Sequence, residues 1–203
     1  PLSCCYCGLP EWFHESVKSS QPQFWRPLLP LKPNSPASSY FQRIQKSHHM
    51  SIMLPTVPRY CPYSELGEQP NIIVDGKAQR ATELTLSHWP WNSTPSELMR
   101  DTSTDIVFAY LDAPEHHQNI SLVSNNHFDE DGLLSMYALI DPSNALRYRE
   151  LMIGTSRAGD FSIYSDPDAA KLSFVLAAYA DPATGLLPAE IFNGSDAEQT
   201  AGL

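Results

Sequence analysis

Cysteine is absent from most of this chain. All four cysteines fall within the first 61 residues, and none follows Cys61. The rest of the chain therefore needs no disulfide bonds, which favours a reducing, cytoplasmic setting. Cys4, Cys5 and Cys7 lie close together, but no second cysteine or histidine cluster follows at zinc-ligand spacing, so a structural zinc site is not expected.

Long apolar runs are absent as well. The longest candidate, Phe174 to Ala180, is far shorter than the roughly 18 apolar residues that a membrane-spanning helix needs. No charged start leads into an apolar signal segment either. The sequence therefore predicts no membrane association. An apolar content of 42% over 203 residues is typical of a globular protein with one domain.

Basic residues are scarce after residue 64. Residues 65–203 hold seven Lys and Arg against 21 Asp and Glu, whereas residues 1–64 hold six against two. An acidic body repels phosphate backbones, so nonspecific nucleic-acid binding is not expected. The same carboxylates favour divalent cations, which would screen a small phosphorylated substrate from the negative field. Nothing in the sequence fixes the oligomeric state.

The leading part of the chain differs in composition from the rest. Eleven of the 18 prolines lie in residues 1–70, and residues 1–49 show neither a helical nor a strand period. We predict a disordered or non-native leader over residues 1–64, an α/β domain over residues 65–192 and a flexible tail over residues 193–203. The small, polar tail lacks a closing element, as expected of a truncated domain.

Strands are predicted before helices, which gives an α/β fold with a mixed sheet and with helices concentrated in the second half. Apolar and β-branched runs predict strands at Ile72 to Val74, Glu83 to Trp89, Ile106 to Leu111 and Ile120 to Ser124. A capping box at Thr94 and Glu97 predicts a short helix. Longer helices are expected at Leu133 to Ile140, Ser143 to about Ser156, and about Pro167 to Ala180.

The segment His127-Phe128-Asp129-Glu130-Asp131-Gly132 follows a predicted strand and precedes a predicted helix. Ligands of open α/β sheets bind beyond the carboxyl ends of strands, where this order places the segment. Alternate residues of an extended loop share a direction, so Asp129 and Asp131 can reach one cation together with His127. The alternative is that the two carboxylates only cap the following helix.

A calcium EF-hand is the obvious rival interpretation of this D-x-D-G string. With Gly132 at loop position 6, position 1 is His127 and position 12 is Ala138. A calcium loop needs a carboxylate at both positions, so the EF-hand is excluded. The imidazole indicates instead a borderline metal such as manganese, iron or zinc.

The string HFDEDGLLS resembles the first motif of the DHH phosphoesterase superfamily, a strand that ends in D-x-D-x-D-G and enters a helix. Asp129, Asp131, Gly132 and Ser135 fall in register, and His127 stands where that motif often has its first Asp. The resemblance implies a DHH-like fold and a divalent metal, most simply manganese, that activates water against phosphorus. It makes Asp129 and Asp131 catalytic metal ligands, with His127 as a further ligand.

Other parts of that superfamily pattern are incomplete. Asp160 is the candidate for the second-motif carboxylate and thus a fourth metal ligand, although its spacing from Asp131 is short. The characteristic later Asp-His-His triplet is absent, and Glu115-His116-His117 precedes the first motif, which indicates a chance match.

A longer resemblance, over about residues 71–192, is to an uncharacterised bacterial family with V-D-G, L-S-H-W-P, D-T-S, N-N-H-F-D-E-D-G and A-G-D-F strings. These strings begin here at Val74, Leu86, Asp101, Asn125 and Ala158. His88 and Asp101 could join the metal site or contact substrate, and a packed structural role is the alternative for His88. Together with Ser135, which the DHH-like motif places at the helix start, they are the candidate substrate-binding residues. Trp89 and Trp91 are candidates for stacking on a base or sugar, and packing within the fold is the alternative.

Two functions of different classes follow from these patterns. The first is a divalent-metal-dependent phosphoesterase, a hydrolase that acts on a phosphoester. The second is a non-catalytic metal-binding or ligand-binding module on a DHH-like scaffold, which the missing Asp-His-His triplet favours. A purely structural domain is the third.

Overall fold

A four-stranded parallel sheet is the centre of the fold in the computed structural model, which describes residues 54–203. The strands are β1 (Arg59–Tyr60), β2 (Asn71–Val74), β3 (Thr82–Leu86) and β4 (Leu122–Ser124), in the order β1-β4-β2-β3. β2 and β4 are buried along their whole length, as expected of parallel strands that are covered on both faces.

The prediction of a mixed sheet is wrong for the described residues, because every strand pairing is parallel. The sequence suggested a turn after β2, and a tight turn between neighbouring strands normally gives an antiparallel pair. Seven residues separate β2 from β3. An extended chain of that length reaches roughly 23 Å, which is enough to return along a four-residue strand of about 13 Å.

Most of the helices lie in the second half of the chain, after the last strand, as predicted. The helices are α1 (Ser103–Leu111), α2 (Glu130–Ile140), α3 (Pro142–Ala145), α4 (Arg149–Phe161), α5 (Pro167–Ala180) and α6 (Asp196–Gly202). α2 packs against α1 and α4, and α4 packs against α5. The main core contains the inner side chains of β2, β3 and β4 together with α1, α2 and the start of α4.

The prediction of a strand at Ile106 to Leu111 is also wrong, because these residues belong to α1. Eight of the nine residues of α1 are buried. A helix that is buried all round shows a continuous apolar run, which periodicity alone cannot separate from a buried strand. Thr102 begins the helix, and its side chain accepts a hydrogen bond from the Asp105 N–H.

The remaining helix predictions hold to different degrees. The helix at Pro167 to Ala180 is confirmed, and Asp166 caps it. The helix predicted from Ser143 to Ser156 is interrupted by a 3₁₀ turn at Leu146–Tyr148, and α4 then continues to Phe161. Only a 3₁₀ turn, Ser96–Leu98, forms where Thr94 and Glu97 predicted a helix, and no side chain caps it.

The fold begins earlier than the predicted boundary at residue 65. β1 pairs with β4, and Cys61 packs with Leu66, Ile73 and Leu122 in a smaller core. The other predicted leader residues, 1–53, lie outside the described residues. α6 forms within the predicted flexible tail, with a capping box between Ser195 and Glu198. None of the helices in residues 54–203 has the length and apolar character needed to cross a membrane.

Candidate metal centre

Aspartate and histidine side chains meet beyond the carboxyl ends of β2, β3 and β4. Because parallel strands end at the same edge of a sheet, the loops that follow them converge there. The last turn of α4 adds one more residue to this edge. We call the following six residues the acidic cluster: Asp75, His88, His127, Asp129, Asp131 and Asp160.

Asp75 lies at the centre of the acidic cluster, directly after β2. Its side chain is 1% exposed, and its φ of 42° places a non-glycine residue in the left-handed region. Such strain persists where the surroundings hold it, commonly at functional sites. Oδ1 accepts a hydrogen bond from the Ser103 hydroxyl at 2.9 Å. Oδ2 has no hydrogen-bond partner among the described residues, although His127 Nε2 lies 3.3 Å away.

The backbone around Asp75 is held by the two asparagines that follow β4. Asn125 donates a side-chain hydrogen bond to the Asp75 carbonyl at 3.1 Å. Asn126 Oδ1 accepts one from the Lys77 N–H at 2.7 Å. A Cβ on Gly76 would collide with the Asn126 side chain, so this close approach requires glycine. The loop after β4 therefore fixes the position of Asp75.

Asp129 has two functions in the structure. Oδ1 accepts a hydrogen bond from the Gly132 N–H at 2.7 Å and caps α2. Oδ2 lies 2.7 Å from His127 Nε2. The helix-capping alternative is thus confirmed for one oxygen of Asp129, while the other oxygen belongs to the acidic cluster.

Asp131 also binds a helix end, but it is the end of a different helix. Its two oxygens accept hydrogen bonds from the Ser103 and Thr104 N–H groups at 2.6 and 2.8 Å. These are the first two residues of α1, where backbone N–H groups lack partners within the helix. Oδ2 also lies 3.9 Å from His88 Nε2. Asp131 thus joins the start of α1 to the acidic cluster.

The two histidines present Nε2 to the carboxylates. His88 Nδ1 lies 2.7 Å from the Asp101 carbonyl oxygen, which can only accept, so Nδ1 carries the proton in the neutral ring. His88 Nε2 is then free to act as a ligand, 3.4 Å from Asp75 Oδ1 and 3.6 Å from Asp160 Oδ2. A hydrogen bond of this kind to the far ring nitrogen is usual for histidines that bind metals.

Asp160, the candidate second-motif carboxylate, stands in the last turn of α4 and not at the end of a strand. Its side chain is 13% exposed, and Oδ2 is buried without a hydrogen-bond partner among residues 54–203. Burial and the neighbouring charges of Asp131, Asp129 and Asp75 raise the pKa of Asp160 to about 7. The fold thus holds this carboxylate where its negative charge is unfavourable.

The other titratable groups of the acidic cluster respond to the same field. The Asp75 carboxylate, 3.4 Å from Nε2, raises the pKa of His88 to about 9, against the effect of burial. Burial would lower the pKa of His127, but the carboxylates of Asp129 and Asp75, which lie 2.7 and 3.3 Å from Nε2, raise it to about 10. Burial also opposes the negative charge of Asp75, yet His127, His88 and Ser103 together hold its pKa well below the usual range.

The charges and the ligand types fit one or two divalent cations. Two sets of possible ligands, Asp75 with His127 and Asp129, and Asp75 with His88 and Asp131, each have their ligand atoms within 4.8 Å of one another. Both sets contain Asp75. Four carboxylates outnumber two imidazoles, so the cluster keeps a net negative charge even with both rings protonated. The unpartnered Oδ2 of Asp75 lies 3.3 Å from His127 Nε2, and the unpartnered Oδ2 of Asp160 lies 3.6 Å from His88 Nε2.

A pH prediction follows for the protein freed of metal with EDTA. Its melting temperature should fall as the pH rises from about 6.5 to 10. The pKa values of His88 and His127 are raised on folding, so their stabilisation is complete below pH 6.5 and is lost through pH 9 to 10. A divalent cation bound at the cluster would replace these protons, so protein loaded with manganese should show a flatter profile. Parallel profiles in differential scanning fluorimetry would contradict this coupling.

The structure does not bring every predicted site residue to the acidic cluster. Asp101 reaches it only through its carbonyl, and its exposed carboxylate lies 3.7 Å from the Arg157 guanidinium. Ser135 is fully buried, with its hydroxyl 3.3 Å from that of Thr104, so it is placed for packing and not for phosphate contact. His117 contacts the Tyr110 carbonyl at 2.9 Å, away from the site.

Asp75 is the residue that the sequence analysis missed. The V-D-G string after a predicted strand was the available signal, but an Asp-Gly pair also reads as an ordinary turn. His88, in contrast, moves from predicted substrate contact to candidate metal ligand.

The fold and the site together define a parallel α/β domain with a carboxylate and histidine centre at the carboxyl edge of its sheet. The chain belongs to a family of unknown function, DUF6687, whose sequence model matches residues 56–199. No curated protein and no solved structure matches the chain significantly. The family match supports the predicted uncharacterised domain family and extends it to include β1, while the DHH resemblance stays a prediction.

Proposed function

We propose that this domain is a divalent-metal-dependent phosphoesterase. The observation that carries the proposal is the state of Asp75. This buried residue has a strained backbone and belongs to both candidate ligand sets. Its Oδ2 lacks a hydrogen-bond partner within the described part of the chain. A purely structural cluster would satisfy that oxygen, because an unpaired buried acceptor costs about 1–3 kcal/mol. A cation at the cluster would satisfy it.

The chemistry of the ligands favours hydrolysis of a phosphoester. Mixed carboxylate and imidazole ligands suit manganese, iron or zinc, and manganese is our expectation from the DHH resemblance. A bound divalent cation lowers the pKa of water and stabilises the negative charge that develops on a phosphoryl group. With two ligand sets that share Asp75, the cluster has the composition of centres that bind both the attacking and the leaving oxygen.

Hydrogen bonds within the protein orient the candidate ligands. The Asp101 carbonyl fixes the ring of His88, so that Nε2 faces the carboxylates. The start of α1 holds Asp131, and α2 holds Asp129, so both ligands are positioned before any metal binds. Such preorganisation lowers the cost of binding the metal and the substrate. We expect a small phosphorylated substrate and a cytoplasmic setting.

The test compares metal uptake and turnover in wild type and in His127→Gln. This change removes an imidazole ligand but leaves the caps of α1 and α2 in place. We expect manganese affinity to fall by about tenfold to 100-fold, measured by electron paramagnetic resonance titration. Turnover of bis(4-nitrophenyl) phosphate and 4-nitrophenyl phosphate should fall with it. His116→Gln, at a half-buried histidine outside the cluster, is the matched control.

The second candidate function is a non-catalytic metal-binding module. It is favoured by the capping contacts, which already occupy one oxygen of Asp129 and both oxygens of Asp131. This candidate predicts manganese binding and a raised melting temperature without turnover of either ester. Equal manganese uptake by wild type and His127→Gln would reject both metal functions.

A further inference from the structure

A cavity of about 410 Å³, partly open to solvent and lined by residues outside the acidic cluster, lies beside that cluster. Its size is in the range of small-molecule sites. Gly76 on its wall directly follows Asp75. Trp89, also on its wall, directly follows His88 and packs on the His127 ring with a centroid distance of 5.0 Å. Gly76 and Trp89 therefore place the cavity next to the candidate ligands.

The second tryptophan of the cavity wall is held out of the core. Trp91 is 100% exposed, with a φ of 64° in the left-handed region. The backbone of a bulky residue is strained in that region. An indole that stays in water also gives none of the free energy that burial of its apolar surface would provide. Folding alone does not account for tryptophan at this position, whereas binding of a ligand does.

The loop that carries Trp91 is closed by side-chain hydrogen bonds. The Thr94 hydroxyl accepts from the Ser87 N–H at 2.8 Å and donates to the Ser87 carbonyl at 2.9 Å. Asn92 Oδ1 accepts from the Thr94 N–H at 2.6 Å, and its amide donates to the Trp89 carbonyl. The indole of Trp91 is thus presented by a preorganised loop, which reduces the entropy cost of stacking.

We propose that this cavity binds a planar aromatic group of the substrate, so that the substrate is the phosphoester of an aromatic alcohol or of a nucleoside. This inference rests on the proposed function. The two indoles offer flat apolar surfaces, while Lys77, Asn92 and Ser93 on the wall offer polar groups to the edge of a ring. In the reaction, water adds to phosphorus, the P–O ester bond breaks, and the alcohol leaves with a proton.

The test measures kcat/KM with manganese for three phosphomonoesters: adenosine 5′-monophosphate, 4-nitrophenyl phosphate and glycerol 2-phosphate. We expect the two aromatic substrates to exceed the alkyl one. Because 4-nitrophenolate is intrinsically the better leaving group, the aromatic substrate that loses more kcat/KM in Trp91→Ala identifies the source of the ring. Trp91→Ala should lower the ratio of aromatic to alkyl kcat/KM by about tenfold through KM, as expected for loss of one stacking surface. Trp91→Phe should restore most of the ratio.

Tyr148→Ala, which removes an exposed aromatic ring outside the cavity, is the matched control and should leave the ratio unchanged. An unchanged ratio in Trp91→Ala would overturn the inference while leaving the phosphoesterase intact. If no phosphoester is turned over, the proposed function fails, and saturation-transfer NMR of adenosine then decides on the cavity alone. Transfer that is lost in Trp91→Ala supports the cavity, and no transfer to adenosine overturns it.

Discussion

Asp160→Asn should raise the melting temperature of the metal-free protein and weaken its binding of manganese. The carboxylate is held among like charges that raise its pKa to about 7, so its ionised form opposes folding. Asparagine keeps the shape and removes the charge. After allowance for its partial contact with solvent, we expect a gain of about 1–2 kcal/mol at pH 8, or roughly 3–6 °C in Tm.

The pH dependence separates this effect from general stabilisation. When folding raises the pKa of a carboxyl, the protein loses stability as the pH rises from the unfolded pKa of that group to its folded pKa. For Asp160 these values are near 4 and about 7. The gain in Asp160→Asn should therefore be complete above pH 7 and should vanish as the pH falls toward 4. Thermal melts in EDTA at several pH values measure it. Glu115→Gln, at an exposed carboxylate, should show no such trend.

Manganese affinity should move in the opposite direction to stability. Loss of the Asp160 oxygen should cost about tenfold or more in affinity, since ligand and supporting groups of metal sites are each worth that much. A variant that is more stable without metal and binds metal less tightly shows the compromise expected of a functional site. A lower Tm in EDTA at pH 8, or unchanged manganese affinity, would contradict the assignment of Asp160 to the metal centre.

Asp75→Asn should have the largest effect on metal binding, because both candidate ligand sets lose the residue they share. We expect at least a roughly 100-fold loss of manganese affinity, with loss of any metal-dependent turnover. Asparagine tolerates the left-handed backbone at this position, so the turn should persist. Electron paramagnetic resonance titration measures the affinity, and circular dichroism checks the fold.

The change in melting temperature caused by Asp75→Asn should have the opposite sign to that caused by Asp160→Asn. The pKa of Asp75 is held low by His127, His88 and Ser103, so its charge favours the folded state. The variant should melt at a lower temperature than wild type in EDTA at pH 7. Ser103→Ala, which removes one hydrogen bond to Asp75 but no ligand, is the matched control and should keep most of the affinity. Wild-type affinity in Asp75→Asn would reject the shared ligand.

Adjacent residues were the easiest part of the site to predict from the sequence. His127, Asp129 and Asp131 lie within five residues, and all three reach the acidic cluster. The predicted single set of three is wrong, because Asp131 falls in a different possible ligand set from His127 and Asp129. The contributions of Asp75 and His88 could be predicted only with knowledge of the sheet topology. Only the parallel pairing of β2 with β3 and β4 places the ends of these strands at one edge, and the sequence predicted a mixed sheet.

For the fold, too, local sequence predicted only some of the elements. α5 was predicted with its bounds because Asp166 and Pro167 mark its start. α1 was taken for a strand because burial on all sides removes the helical period of apolar residues. Ser135 was expected at the substrate from its place in a motif, yet helix packing turns its hydroxyl toward Thr104. Such orientations depend on neighbours distant in the chain.

The double attachment of Asp129 and Asp131 has a consequence for comparing members of this family. Each of the two also caps a helix, so selection for folding alone would retain them in a protein that had lost its metal. Asp160 makes no such contribution, since its Oδ2 bonds to nothing in the described chain and its charge opposes folding. Among relatives, an aspartate at this position of α4 is therefore a better marker of a working metal centre than the more conspicuous HFDEDG string.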